Sequence, residues 1–146
     1  MAEPGSESFT DDYLLYLLAH ASAAASAAFH AELERGGMRV PVWRILASLY
    51  PDARLNVGAL ARKCLMKQPT LTRTLDRMEE RGLVRRALEP GDRRGVLVAL
   101  TDRGRALAGE KVALARRHEA EVLAGRSADE IAALKARLRA LIETTG

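Results

Sequence analysis

Immediately after Gly82 the apolar pattern of this chain changes period, and that change limits the folds open to it. Upstream, Leu71, Leu75 and Met78 recur three and four residues apart, as one buried stripe of a helix over 69–81 requires. Pro69 suits the first turn of that helix and Gly82 its left-handed end. Downstream, residues 83–88 and 96–100 read as two extended strands. The segment between them, Glu89-Pro90-Gly91-Asp92-Arg93-Arg94-Gly95, carries turn-forming chemistry. Before the helix, Leu65-Met66-Lys67 reads as a tight turn. It follows a short helix that Asn56 can cap and whose Leu60, Ala61 and Cys64 face inward. Two short helices across a tight turn, followed by a β-hairpin, make a winged helix-turn-helix.

The flanks are helical. After a loose tail over 1–10, a long helix over 11–34 is expected, capped by Thr10 or Asp11 and ended by Gly36-Gly37. Leu14, Leu18, Ala21, Ala25 and Ala28 share one stripe, and Leu15, Leu17 and Phe29 widen it. The run 13–29 carries no formal charge. Only acidic residues precede it, the wrong polarity for a secretory leader, and His20, Ser22 and Ser26 dilute it below a membrane span. It reads as a buried helix of a cytoplasmic protein with no membrane partner.

Pro41 opens a further short helix with Val42, Ile45, Leu46 and Leu49 on its inner face, stopping before Pro51. Thr101 caps a long helix bearing Leu107, Leu114, His118 and Val122, which Gly125 breaks. Ser127-Ala128-Asp129-Glu130 is a capping box opening a last helix with Ile131, Leu134, Leu138 and Leu141 on one side. The fold class is therefore mainly α with a small β-hairpin wing, in one domain over 1–146.

Charge points to a partner. The formal net charge is +4 and the pI about 9.6, yet residues 62–105 hold twelve Lys/Arg against six Asp/Glu, a local +6. The rest holds eleven against thirteen, or −2, so the positive charge is central. That is the electrostatic footprint of a phosphate binder, and equally of a basic solvated face. With Leu71, Leu75 and Met78 inward, Arg73 points away from the core, flanked by Thr70, Thr72 and Arg77. Arginine pairs with guanine O6 and N7, and threonine serves base edges or phosphate. Gln68 and Thr70 lie at the helix start, the end that enters a major groove.

Asp76, Glu79 and Glu80 keep open the plainer reading of an ordinary exposed helix. The hairpin tips the balance toward double-stranded DNA. Arg93 and Arg94 stand at the tip of a projecting loop, where an arginine can enter a minor groove, and Asp92 can orient one of them.

Pro69-Thr70-Leu71-Thr72-Arg73-Thr74-Leu75-Asp76-Arg77-Met78-Glu79-Glu80-Arg81-Gly82-Leu83-Val84-Arg85-Arg86 resembles the recognition-helix signature of the multiple antibiotic resistance regulator (MarR) family. Asp92-Arg93-Arg94 and Val98-Ala99-Leu100-Thr101-Asp102-Arg103-Gly104 resemble that family's wing and the start of its next helix. The match is dense over 55–107. It implies a homodimer, with 11–34 and 102–146 as intertwined dimerisation helices around a DNA-binding region at 40–101. By the same resemblance Gln68, Thr70, Thr72, Arg73 and Arg77 enter the major groove, while Arg94 reaches the minor groove supported by Asp92. It also implies a small-molecule effector pocket, for which Tyr16, His20, His30 and Trp43 are the nearest candidates, each weighed against ordinary packing.

Other chemistry is thinly represented. No nucleophile elbow, phosphate-binding glycine loop or metal signature occurs, so neither an enzyme nor a cofactor is implied. His20, His30 and His118 are scattered, without metal-site spacing. Cys64 is the single cysteine, excluding an intrachain disulfide, and its inward place argues for an inert thiol rather than a redox sensor. The competing binding function is a non-specific architectural protein, which would show steep salt dependence with little sequence preference. The expectation is a repressor acting on a palindromic operator.

Overall fold

The computed structural model describes residues 8–88, 91 and 95–146. The chain divides into two compact units, Met1–Ala113 and Leu114–Gly146. In chain order the helices are α1 (Phe9–Asp12), α2 (Leu14–Arg35), α3 (Val40–Leu49), α4 (Val57–Lys63), α5 (Gln68–Glu80), α6 (Asp102–Val122) and α7 (Ala128–Thr145). Strand β1 (Leu55–Asn56) precedes α4, and β2 (Val84–Leu88) and β3 (Val96–Leu100) lie between α5 and α6.

The core of the first unit is apolar throughout. Leu33 of α2, Ile45, Leu46 and Leu49 of α3, Leu60 of α4, Leu71 and Leu75 of α5 and Val98 of β3 are fully buried. Each such side chain contributes about 1.5–3 kcal/mol by leaving water. Local chemistry sets the element ends. The Asn56 side chain accepts the Ala59 N–H at 2.8 Å and starts α4. Gly82, at φ +70, ends α5 while Leu83 N–H reaches Met78 O at 2.9 Å. Between α4 and α5 the chain turns through Leu65, a non-glycine residue at φ +56 whose side chain stands in solvent.

The sheet is antiparallel in the order β1-β3-β2. The hairpin pairs Val84 with Leu100 and Leu88 with Val96, and β1 adds Leu55 opposite Val98. This third strand is missing from the sequence reading, because two residues are too few to show an alternation. Thr101 locks the sheet to α6. Its hydroxyl donates to Gly82 O at 2.5 Å and accepts the Gly104 N–H at 3.0 Å. A Cβ on Gly104 would stand 1.9 Å from Leu83 O, so only glycine permits that approach.

Two expectations for the N-terminal helix need correction. It starts earlier, with Ser8 as N-cap and the Asp11 carboxylate accepting the Ser8 N–H at 3.0 Å, and it breaks at extended Tyr13. Asp11 thus acts as the third residue of a box rather than as the cap. Nor is α2 buried: among its residues only Phe29 and Leu33 are, while Leu14, Leu15, Tyr16 and Leu17 are all at least 40% exposed. The apolar stripe is present, but one chain does not cover it. By length and composition alone, α2 is apolar enough to cross a membrane.

In the second unit, Ser127 accepts the Glu130 N–H at 3.1 Å and Glu130 accepts the Ser127 N–H at 3.2 Å, the box expected there. Lys135 of α7 pairs with Glu119 of α6 at 2.8 Å. No residue of α7 is buried, and Leu134, Leu138 and Ile142 are exposed.

Candidate nucleic-acid interface

Helix α5 presents the chemistry because its inner stripe is held fast. Leu71, Leu75 and Met78 are at most 1% exposed, which fixes the rotation of the helix. Gln68, Thr70, Thr72, Arg73 and Arg77 are consequently all exposed, on one helix. The Gln68 amide lies toward α4, its Nε2 3.5 Å from the point a Cβ on Gly58 would occupy, an ordinary contact distance. Thr74 spends its hydroxyl on Thr70 O at 2.9 Å, whereas those of Thr70 and Thr72 carry no hydrogen bond among the described residues.

Around the exposed surface, α5 separates its charges. On one flank Asp76 and Glu79 both face β2, and Arg86 reaches across to them. Its Nη2 lies 2.6 Å from Asp76 Oδ1 and its Nε 2.6 Å from Glu79 Oε2. The hydrogen bond to Asp76 and then that to Glu79 raise the Arg86 pKa above its already high ordinary value. Two of the three acids that favoured an ordinary solvated helix are therefore neutralised from the sheet; Glu80 stays exposed near the C-terminal end. On the other flank Thr70, Arg73, Arg77 and Arg81 border a cleft of about 480 Å³ whose far wall is the start of α3, with Arg39 and Pro41.

Known proteins share this fold over nearly the whole chain. The sequence profile of the MarR family matches residues 36–95. A MarR family transcriptional regulator from Silicibacter pomeroyi DSS-3 is 44% identical, with a TM-score of 0.84 over 96% of this chain and 100% of that one. The chain belongs to the MarR family. It is a DNA-binding transcriptional regulator and not an enzyme. A second MarR family regulator from Silicibacter pomeroyi matches with TM-score 0.84 at 27% identity, over 100% of this chain and 99% of that one. A cysteine-to-serine mutant of MarR from E. coli matches with TM-score 0.70 at 27% identity, over 89% of this chain and 96% of that one. The winged helix-turn-helix class expected from the change of period is the fold observed.

In this MarR family member the wing-tip candidates Asp92, Arg93 and Arg94 lie outside the described residues. The four candidates for an effector pocket form two ring groups. Tyr16 and His20 stack at a tilt on α2, centroids 5.2 Å apart. Trp43 of α3 meets Phe29 edge-on at 5.2 Å, and His30 lies 6.2 Å from the same Phe29 ring. Along α2, ten residues separate His20 from His30, about 15 Å of helix. Cys64 is buried, 3.5 Å from Ser48 Oγ. Desolvation pushes its thiol pKa up, against smaller lowering from the Ser48 hydrogen bond and from Arg44 and Lys63. Among the described residues no cluster of three or more His, Cys, Asp or Glu is placed to hold a metal.

Three arginines escape the sequence reading of the site. Arg81 follows Arg77 by one turn and reads there only as the helix end, although i, i+4 spacing is a usable signal. Arg39 sits far away in sequence, and Arg86 acts through a side-chain bridge. Neither has a local signal.

Proposed function

We propose that this protein is a repressor that binds a palindromic operator as a homodimer and leaves it on taking up a small-molecule effector. The observation that carries the reading is the division of α5, where Arg86 holds Asp76 and Glu79 and leaves Thr70, Arg73 and Arg77 exposed beside them. Gln68, Thr70, Thr72, Arg73 and Arg77 read the major groove, and Arg93 and Arg94, steadied by Asp92, reach the minor groove. A second copy covers the exposed apolar residues of α2 and α7, with 11–34 and 102–146 as dimerisation helices of one 1–146 domain and 40–101 as its DNA-binding region. Two-fold pairing sets two α5 helices on two half-sites, which requires a palindrome. Such pairing also gives the apolar α2 a protein partner, in keeping with a cytoplasmic location.

The effector shifts the dimer toward a state whose two α5 helices are mis-spaced, and DNA affinity falls by the ligand's differential affinity for the two states. The Tyr16–His20 pair and the Trp43–Phe29–His30 group are the side chains that would feel it. The test is fluorescence anisotropy with DNA from the promoter beside the protein's own gene and with a scrambled duplex, repeated with Arg73→Ala. A preference of about a hundredfold or more for the promoter, lost in the variant, supports the reading. Equal binding to both duplexes, with no motif returned by selection from random DNA, replaces it with an architectural role.

A further inference from the structure

The cleft between the start of α3 and α5 carries a charge imbalance, and two of the residues that make it, Arg39 and Arg81, have no part in the base reading proposed above. Four guanidinium groups border it, those of Arg39, Arg73, Arg77 and Arg81, and no acidic residue lines it. None of the four takes part in an ion pair among the described residues. Like charges gathered in one concave space repel one another, and a low-dielectric wall strengthens the field they make together. A compact monoanion would meet only part of that array. Arg73 and Arg81 are eight residues apart, about 12 Å along the helix axis, which is roughly the rise of three to four base pairs.

We propose that this cleft is the seat of the DNA sugar-phosphate backbone, with Arg39 and Arg81 as phosphate-contacting residues that set the register of α5 in the groove. The assignment rests on the DNA-reading role of α5 proposed above and divides labour along it. The N-terminal end, through Gln68, Thr70 and Thr72, meets base edges. The C-terminal end, with Arg39 supplied by a different helix, grips the strand that borders the same groove. Two helices then hold one strand, so rotation of α5 on the duplex is opposed from both sides. Contacts of this kind position the reader and carry no sequence information of their own.

The double variant Arg39→Ala/Arg81→Ala tests the assignment, read by anisotropy on operator and scrambled duplexes from about 50 to 300 mM salt. Affinity is expected to fall about tenfold or more on both duplexes alike, with their ratio preserved. The plot of log affinity against log salt should become shallower by about 0.9 for each phosphate contact removed. Arg81→Lys, which keeps the charge, should keep the slope. Because both residues are exposed, thermal unfolding of the variant should match wild type, so lost binding is not lost fold. An unchanged slope overturns the assignment, and so does a loss of the operator-to-scrambled ratio at constant slope. Failure of the regulator reading looks different: wild type then shows no operator preference, while its salt slope still responds to Arg39 and Arg81.

Discussion

The region from Met38 to Leu100 and the helices that flank it solve the problem of apolar surface in opposite ways. In the first, Ile45, Leu46, Leu49, Leu60, Leu71, Leu75 and Val98 are fully buried within one chain. In the flanks, Leu14, Leu15 and Leu17 of α2 and Leu134, Leu138 and Ile142 of α7 remain exposed. The sequences are comparably apolar, so hydrophobicity does not separate them. What differs is whether a complementary surface exists in the same polypeptide. The Met38–Leu100 region closes on itself and can be rigid; the flanks leave apolar surface for something else to close.

That contrast can be broken most severely at its rigid end. Gly104→Ala would place a Cβ against Leu83 O, forcing α6 off the sheet, and chemical denaturation should show a loss of about 3 kcal/mol or more. Leu75→Ala, which empties a fully buried site, should cost about 2–5 kcal/mol independently of protein concentration. Leu15→Ala with Leu138→Ala probes the other region. Here the unfolding midpoint of wild type should rise with protein concentration, and sedimentation should show the variant dissociating more readily, by about tenfold or more. A variant indistinguishable from wild type in both measurements removes the second-copy explanation for the flanks.

Smaller effects sharpen the picture. Arg86→Ala should cost only about 1 kcal/mol, since the bridge is partly exposed. It also frees Asp76 and Glu79 beside the exposed arginines of α5, so, on the proposed role of that helix, DNA affinity should drop on every sequence. Leu65→Gly should stabilise by roughly 0.5–1 kcal/mol, because a left-handed backbone penalises leucine and its side chain buries little. Cys64 bears on rigidity through its thiol. Burial raises its pKa, so stability is complete below the ordinary thiol range and declines as pH rises through the higher folded value. Alkylation near pH 8 should accordingly be slow in the native protein and fast once it is unfolded. Trp43, the only tryptophan, reports on the α2–α3 ring group, and an effector acting there should change its emission.

The elements between Met38 and Leu100 were mostly legible because their signals are local. Pro69, Gly82 and Asn56 act on backbone groups within a few residues, as Thr101 does in accepting the Gly104 N–H, and the stripe Leu71, Leu75, Met78 sets which side of α5 faces out. The same logic misplaced the start of the N-terminal helix by little and its burial by much. A periodic apolar stripe states that burial is needed, not where the partner surface comes from.

By itself, the sequence determined the order of the helices from α3 onward and of the two hairpin strands, the caps of α4 and α7, the exposure of Gln68, Thr70, Thr72, Arg73 and Arg77, and through a long dense motif the family. Only tertiary structure decided that Leu55 joins Val98 in a third strand, that Arg86 pairs with Asp76 and Glu79, and that Arg39 and Arg81 come to line one cleft. The physical reason is range. Capping and periodicity are written within one or two helical turns, whereas charge pairing and clefts depend on which surfaces the packed core brings together from distant stretches of chain.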